Sequence, residues 1–226
     1  MENYQVSMCK IMQAALELFR RSGYHKTGVR QITDACGVSL GLMNHYYGSK
    51  RILGQHALLL LLDFLAEQAP DLRDDPVMHD IVSDRIQIEY LLSGGFRQFY
   101  LDVLECDIMF DSMLAHPEEA LKTLREKYAF TQGEDYVLLY SRYLPSYLEK
   151  ILVLGKASGQ FRSISYGDIP LLISQTAKEH FVPAEKIVQA DVISRQLAKK
   201  IVPQIPSMPP EDFIQSYVCR LSLPLK

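Results

Sequence analysis

Apolar residues recur at three- and four-residue steps along almost the whole chain, and no convincing stretch alternates with the period of a strand. Met8, Ile11, Ala15, Leu18 and Phe19 fall on one face of a first helix. Ser22-Gly23 ends it, because glycine can take the left-handed conformation after a last helical turn. Thr27 is placed to cap a second helix, with Arg30 in its first turn and Val29, Ile32 and Cys36 facing inward. Gly37 breaks that helix, and Ser39 caps a third that runs to about Tyr46. Gly48-Ser49 punctuates again, and Ser49 caps a longer fourth helix reaching about Gln68.

The remainder is helical by the same pattern. A Pro- and Asp-rich connector spans 69–76. One long or two consecutive helices cover 77 to about 115, with Gly94-Gly95 as the break. Pro117 sits in the first turn of another helix, and a further one runs from Glu134 to about Lys156. A loop over 157–168 precedes helices at roughly 168–180, 184–202 and 210–222, the last two separated by Pro203, Pro206, Pro209 and Pro210. The pattern predicts an all-α chain.

Composition narrows the class. The 226 residues suit one large domain or two small ones, and the 48% apolar and 23% charged fractions are those of a soluble globular protein. No basic start precedes an apolar run, and the longest apolar stretch, Ala57 to Leu62, is far too short to span a bilayer. The expectation is a cytoplasmic protein without membrane contact. Cys9, Cys36, Cys106 and Cys219 form no CxxC pair and read as reduced, mostly buried thiols. Cys106, Asp107, Asp111 and His116 could offer ligands from one helix, but an acidic, partly exposed helix face is the plainer reading, so no metal is expected. No Ser/His/Asp or Cys/His spacing, paired-carboxylate motif or Gly-rich phosphate loop appears, so neither catalysis nor a cofactor is expected.

The net charge of −3 hides a split. Residues 1–56 hold seven Lys/Arg against three Asp/Glu, a net of +4, which leaves −7 on the other 170. A basic head that meets a polyanion and an acidic body that does not would carry charge in this way.

The two short helices around Gly37 form a helix-turn-helix. The N-terminus of the second carries free N–H groups and partial positive charge, suited to a phosphate. Leu42, Met43 and Tyr46 can hold its inner face, which leaves Leu40, Gly41, Asn44, His45 and Tyr47 for its outer face or edges. Only one of Tyr46 and Tyr47 can face fully outward, so the spacing leaves both packing and DNA contact open for each. Gly41 would let a DNA backbone or base edge approach closely, Asn44 can read base edges, and His45 and the tyrosine hydroxyls can donate to phosphates.

At these residues the sequence resembles the N-terminal domain of the TetR family of transcriptional regulators. The resemblance rests on Ile11, Ala14, Ala15, Leu18, Phe19, Gly23, Tyr24, Thr27, Ile32, Gly37, Val38, Ser39, Gly41, Tyr46, Tyr47, Ser49 and Lys50, in register over about residues 8–56. Thr33 and Cys36 stand where the family usually has Ala, Leu40 where many members carry a polar residue, and Asn44 where Tyr is common. The resemblance implies a helix-turn-helix DNA-binding domain over 1–50 and a helical effector-binding and dimerisation domain over 51–226. It implies phosphate contacts from Thr27 and Lys50, joined by Arg30, and a recognition surface of Ser39, Leu40, Gly41, Asn44, His45 and Tyr46. The implied partners are double-stranded DNA with a palindromic operator, a second copy of the chain and a small-molecule effector.

Beyond residue 70 the reading rests on spacing. Tyr136, Tyr140, Tyr143 and Tyr147 fall at i, i+4, i+7 and i+11, one stripe of rings on a long helix. With Phe99, Phe110 and Met113 they could line a pocket for a lipophilic or planar molecule, or equally form core or subunit contact. Apolar faces at Ile169, Leu172, Ile173 and Thr176, and at Ile187, Ala190, Val192, Ile193, Leu197 and Ile201, with the 210–222 helix, are candidates for a dimer interface. The expected function is a dimeric repressor released from its operator by a small ligand. The alternatives are a helical enzyme or lipid-binding module, and a TetR-like activator without a small effector.

Overall fold

The computed structural model describes residues 3–72, 75–114, 133–179 and 182–221. Every regular element among them is helical. In chain order they are α1 (Asn3–Ser22), α2 (Val29–Cys36), α3 (Leu40–Tyr47), α4 (Lys50–Ala66), α5 (Pro76–Ser93), α6 (Arg97–Glu105), α7 (Ile108–Leu114), α8 (Glu134–Leu138), a π-helical turn (Leu139–Tyr143), α9 (Leu144–Ala157), α10 (Ile169–Lys178), α11 (Ala184–Ile201) and α12 (Glu211–Arg220). Short 3₁₀ turns cover Tyr166–Asp168 and Val202–Gln204. The helix expected to start at Pro117 lies outside the described residues. No helix among them is long and apolar enough to cross a membrane.

The chain divides into two compact units, the first drawn from residues 1–64, 93–108 and 206–226. Its centre is α1, whose Ile11, Met12, Ala15, Leu16 and Phe19 are buried against α2, α3, α6 and α12. Phe19 stacks on Phe99 of α6 with ring centroids 4.9 Å apart, and Phe96 meets Phe99 edge-on at 6.3 Å. Gly23 closes α1 at φ +77, and a side chain there would collide with Gln98 and Asp102 of α6 at 2.6 Å. Only glycine combines that backbone conformation with so close an approach. The last helix, α12, belongs to this unit: Ile214, Tyr217 and Val218 are buried, Phe213 packs edge-on against Phe64 at 5.3 Å, and Arg220 reaches Asp63 at 3.5 Å. The apolar face of α12 is therefore used within its own chain, where the sequence had offered it to a second copy.

The second unit comprises 65–92 and 109–205. Val77 and Ile81 of α5 pack with Val182 and with Ile187 and Ala190 of α11. A buried guanidinium crosses this packing. Arg85 has no exposure, and it donates to Ser194 Oγ at 2.7 Å, the Gly167 carbonyl at 2.9 Å, Glu89 at 3.0 Å and Asp191. Asp191 is held from its other side by Arg195 at 2.8 Å. A buried charge persists only when its donors are satisfied in this way.

Two element boundaries depart from the sequence pattern. Between α6 and α7 the chain breaks at Cys106-Asp107, where Asp107 takes φ +59. Aspartate tolerates that left-handed geometry better than most residues, which is why no glycine flagged the break. The long helix expected from Glu134 onward carries a π turn in its middle. Pro145 has no N–H to give to the carbonyl four residues back, and Leu144 N–H donates instead to Leu139, five residues back.

Candidate nucleic-acid interface

The turn between α2 and α3 is built as the sequence requires. Gly37 sits at φ +66, a left-handed position that closes α2 through its N–H to the Thr33 carbonyl. Ser39 then takes an extended conformation and accepts the Leu42 N–H on its hydroxyl at 3.2 Å. The N-terminus of α3 is therefore capped by a small exposed side chain. Ser49 repeats the device one helix later, accepting the Ile52 N–H at 3.2 Å. The α2 cap differs from expectation: it is Gly28, whose N–H is held by the Gln31 side chain at 2.6 Å.

Met43 and Tyr47 anchor α3. Both are buried, and the Tyr47 hydroxyl donates to the Met8 carbonyl on α1 at 3.0 Å. Burial pushes its phenol far above the ordinary tyrosine range, so it stays a neutral donor. Tyr47 thus lies inside, where the sequence had placed Tyr46. Four residues separate Met43 from Tyr47, the helical repeat that aligns two anchors on one face. Tyr46 is half-buried and its ring leans on His45 at 5.4 Å. The outer face of α3 consists of Leu40 (42% exposed), Gly41, Asn44 and His45. A Cβ added at Gly41 would meet no atom within 4 Å.

The remaining predicted contacts separate. Arg30 is exposed on α2. Lys50 is half-buried at the start of α4, its Nζ 4.2 Å from the centre of the Tyr24 ring, and desolvation lowers its ammonium below the usual lysine range. Thr27 cannot offer its side chain to a phosphate. It is 1% exposed, and its hydroxyl bonds the Gly23 carbonyl at 2.7 Å and the Leu18 carbonyl at 3.3 Å. Its place is inside the head, locking the turn after α1.

The residues proposed for a ligand pocket divide between the two units. Phe99 is core of the first unit, stacked on Phe19. Phe110 contacts Tyr143 at 6.0 Å and Tyr147 at 4.4 Å in the second unit. The π turn disrupts the expected stripe: Tyr136 and Tyr147 are 58% and 47% exposed, while Tyr140 and Tyr143 are half-buried. Met113 lies on α7, its side chain outside the described residues. An open cleft of about 670 Å³ exists elsewhere, on the head between α1, α2 and the segment before α12, lined by Ala14, Leu18, Cys36, Met208 and Pro209 among others.

One link escapes any reading of spacing. Asp102 of α6 is buried and accepts the His25 backbone N–H at 2.8 Å and the Gln98 side chain at 2.7 Å. It ties the turn that leads into α2 to a helix 77 residues further along the chain.

Comparison with known proteins bears on this head. Residues 11–55 match the family described as bacterial regulatory proteins, tetR family. No curated protein matches the chain. Among solved structures the chain is similar to the crystal structure of a gamma-butyrolactone receptor (ArpA like protein), with 14% identity over 88% of this chain and 100% of that one, at a TM-score of 0.40. The likeness to the tetR family of bacterial regulatory proteins thus lies in the head, residues 11–55.

Proposed function

We propose that the chain is a dimeric repressor that binds a palindromic operator through α3 and leaves it when a small lipophilic or aromatic ligand binds the helical remainder. The observation that carries the reading is the division of α3. Met43 and Tyr47 hold it to α1, while the Ser39 cap, Leu40, Gly41, Asn44 and His45 stand clear of the protein. A helix so anchored can enter a major groove with its N-terminal residues at base edges, and the free N–H groups of its first turn suit the flanking phosphate. Arg30, Tyr46 and Lys50 flank that surface. Phe110, Tyr143 and Tyr147 support an aromatic ligand site, and Val188 and Val192, exposed one turn apart on α11, support a two-fold contact.

The test is selection of bound fragments from random duplex DNA by the full chain, followed by titration across salt. The expected product is a palindrome whose half-sites lie about 34–36 Å apart, or a multiple of it. Lys50→Ala should weaken binding to every sequence alike and lower the magnitude of the salt slope by about 1. Failure to enrich any sequence would refute the reading, and an unchanged slope would remove Lys50 from it.

A further inference from the structure

His25 stands on the turn between α1 and α2, and Asp102, Glu105 and Cys106 close the C-terminal end of α6. All four belong to the first unit. The His25 Nε2 lies 3.4 Å from Glu105 Oε2 and 3.6 Å from Cys106 Sγ. Donor atoms of His25, Asp102 and Glu105 fall within 4.8 Å of one another. A tetrahedral zinc ion with bonds of about 2.0–2.3 Å spans ligand-to-ligand edges of about 3.3–3.8 Å. The two measured distances from the imidazole fall inside that interval. From this we infer that His25, Asp102 and Glu105 form a zinc-binding site on the head, separate from the exposed face of α3, with Cys106 Sγ, beside the imidazole at 3.6 Å, turning in as the fourth ligand.

The chemistry of the donors supports the same conclusion. One imidazole, two carboxylates and one sulfur are the ligand types of zinc, whereas magnesium and calcium take oxygen alone. On binding, the sulfur–zinc bond forms as the thiol proton leaves to solvent. Asp102 is already oriented by Gln98 and by the His25 N–H, and a carboxylate keeps acceptor positions beyond those two bonds. The same-helix cluster that the sequence suggested shares only Cys106 with this set, and its His116 lies outside the described residues.

Zinc there would clamp the turn leading into α2 onto α6, so occupancy would stabilise the DNA-reading head. That consequence rests on the proposed function, while the binding itself does not.

The experiment uses the full-length chain, reduced and stripped of metal. Titration with Co²⁺ and Zn²⁺ should show one ion per chain, with a dissociation constant below about 1 μM. The cobalt form should display a near-ultraviolet thiolate charge-transfer band that Zn²⁺ abolishes. Cys106→Ser should remove the band, and His25→Asn should weaken zinc binding at least about tenfold. Both variants should keep the wild-type helical circular dichroism, and Cys36→Ser should bind as the parent does. Absence of saturable binding to the folded chain, or binding indifferent to both substitutions, overturns the site. Operator affinity with and without zinc separates the two proposals. Tight metal binding without any effect on DNA binding keeps the site and removes the clamp. Loss of all DNA binding refutes the proposed function and leaves the metal titration to decide the site.

Discussion

Gly41 is the residue at which fold and function pull in opposite directions. It lies in α3 with an ordinary backbone conformation and open space where a Cβ would go. Gly41→Ala should therefore stabilise the chain by about 0.4–1 kcal/mol, since alanine loses less entropy in a helix. If the N-terminal half of α3 meets DNA, the same methyl should weaken operator binding about tenfold, or about 1.4 kcal/mol. A variant that melts higher and binds as before would exclude that half of α3 from the contact. His56 of α4 poses a question of a different kind. It is buried, its Nδ1 has no hydrogen-bond partner among the described residues, and its ring meets Tyr47 edge-on at 5.9 Å. Burial lowers its pKa below the unfolded value of 6.5. The folded state then binds fewer protons than the unfolded state below pH 6.5. Stability is intact above that pH and falls as the pH drops through the interval between 6.5 and the lower folded value. Denaturant melts across pH 8 to 5.5 should show this loss in the parent, and His56→Gln should show a smaller one. Equal losses would mean that other groups carry the acid sensitivity.

At the scale of elements, the head could be read from the chain because its signals are local. Gly23, Gly37 and Gly48 all take positive φ, and Ser39 and Ser49 both cap the helices that follow them. Each signal lies within a few residues of the boundary it sets. Thr27 misled because a threonine before a helix looks the same whether it caps outward or bonds back to Gly23 and Leu18. The π turn left only Pro145 as a hint, and an inserted backbone step rotates every later side chain relative to the earlier ones. The tyrosine stripe therefore dissolved although the helix itself was correctly foreseen. Links between distant elements leave no trace in spacing at all, and Arg85 of α5 with Asp191 of α11, 106 residues apart, is the clearest case. Arg85→Met should cost about 3 kcal/mol in equilibrium unfolding, because it leaves Asp191 buried with only Arg195 beside it. Adding Asp191→Leu should return part of that loss. If the double variant is no more stable than Arg85→Met, the cost lies in packing and in the bonds to Ser194 and Gly167, not in a stranded charge.

For the whole molecule the decisive quantity is the number of heads that engage one duplex. The amphipathic pattern offered several faces to a second copy, and the folded chain buries part of them. Ile187 and Ala190 are fully buried against α5, Ile169 and Ile173 are buried, and α12 packs on α1. Leu172, Ile193, Leu197 and Ile201 are half-buried, whereas Val188 and Val192 of α11 are 48% and 52% exposed and one helical turn apart, and two-fold symmetry would bring each pair against its own copy. A charge placed there appears twice in the contact and is desolvated against its like. Val192→Glu should therefore convert the chain to a monomer at micromolar concentration in sedimentation, with its helical content unchanged. Binding to an isolated half-site should survive. Binding to the full palindrome should fall about 10²–10⁴-fold, because the second head no longer arrives at the effective concentration that linkage to the first provides. A Val192→Glu chain that sediments as a dimer and holds the palindrome as tightly as the parent would move the two-fold contact to another face. A parent chain that is itself monomeric and indifferent to the second half-site would remove the dimer from the mechanism.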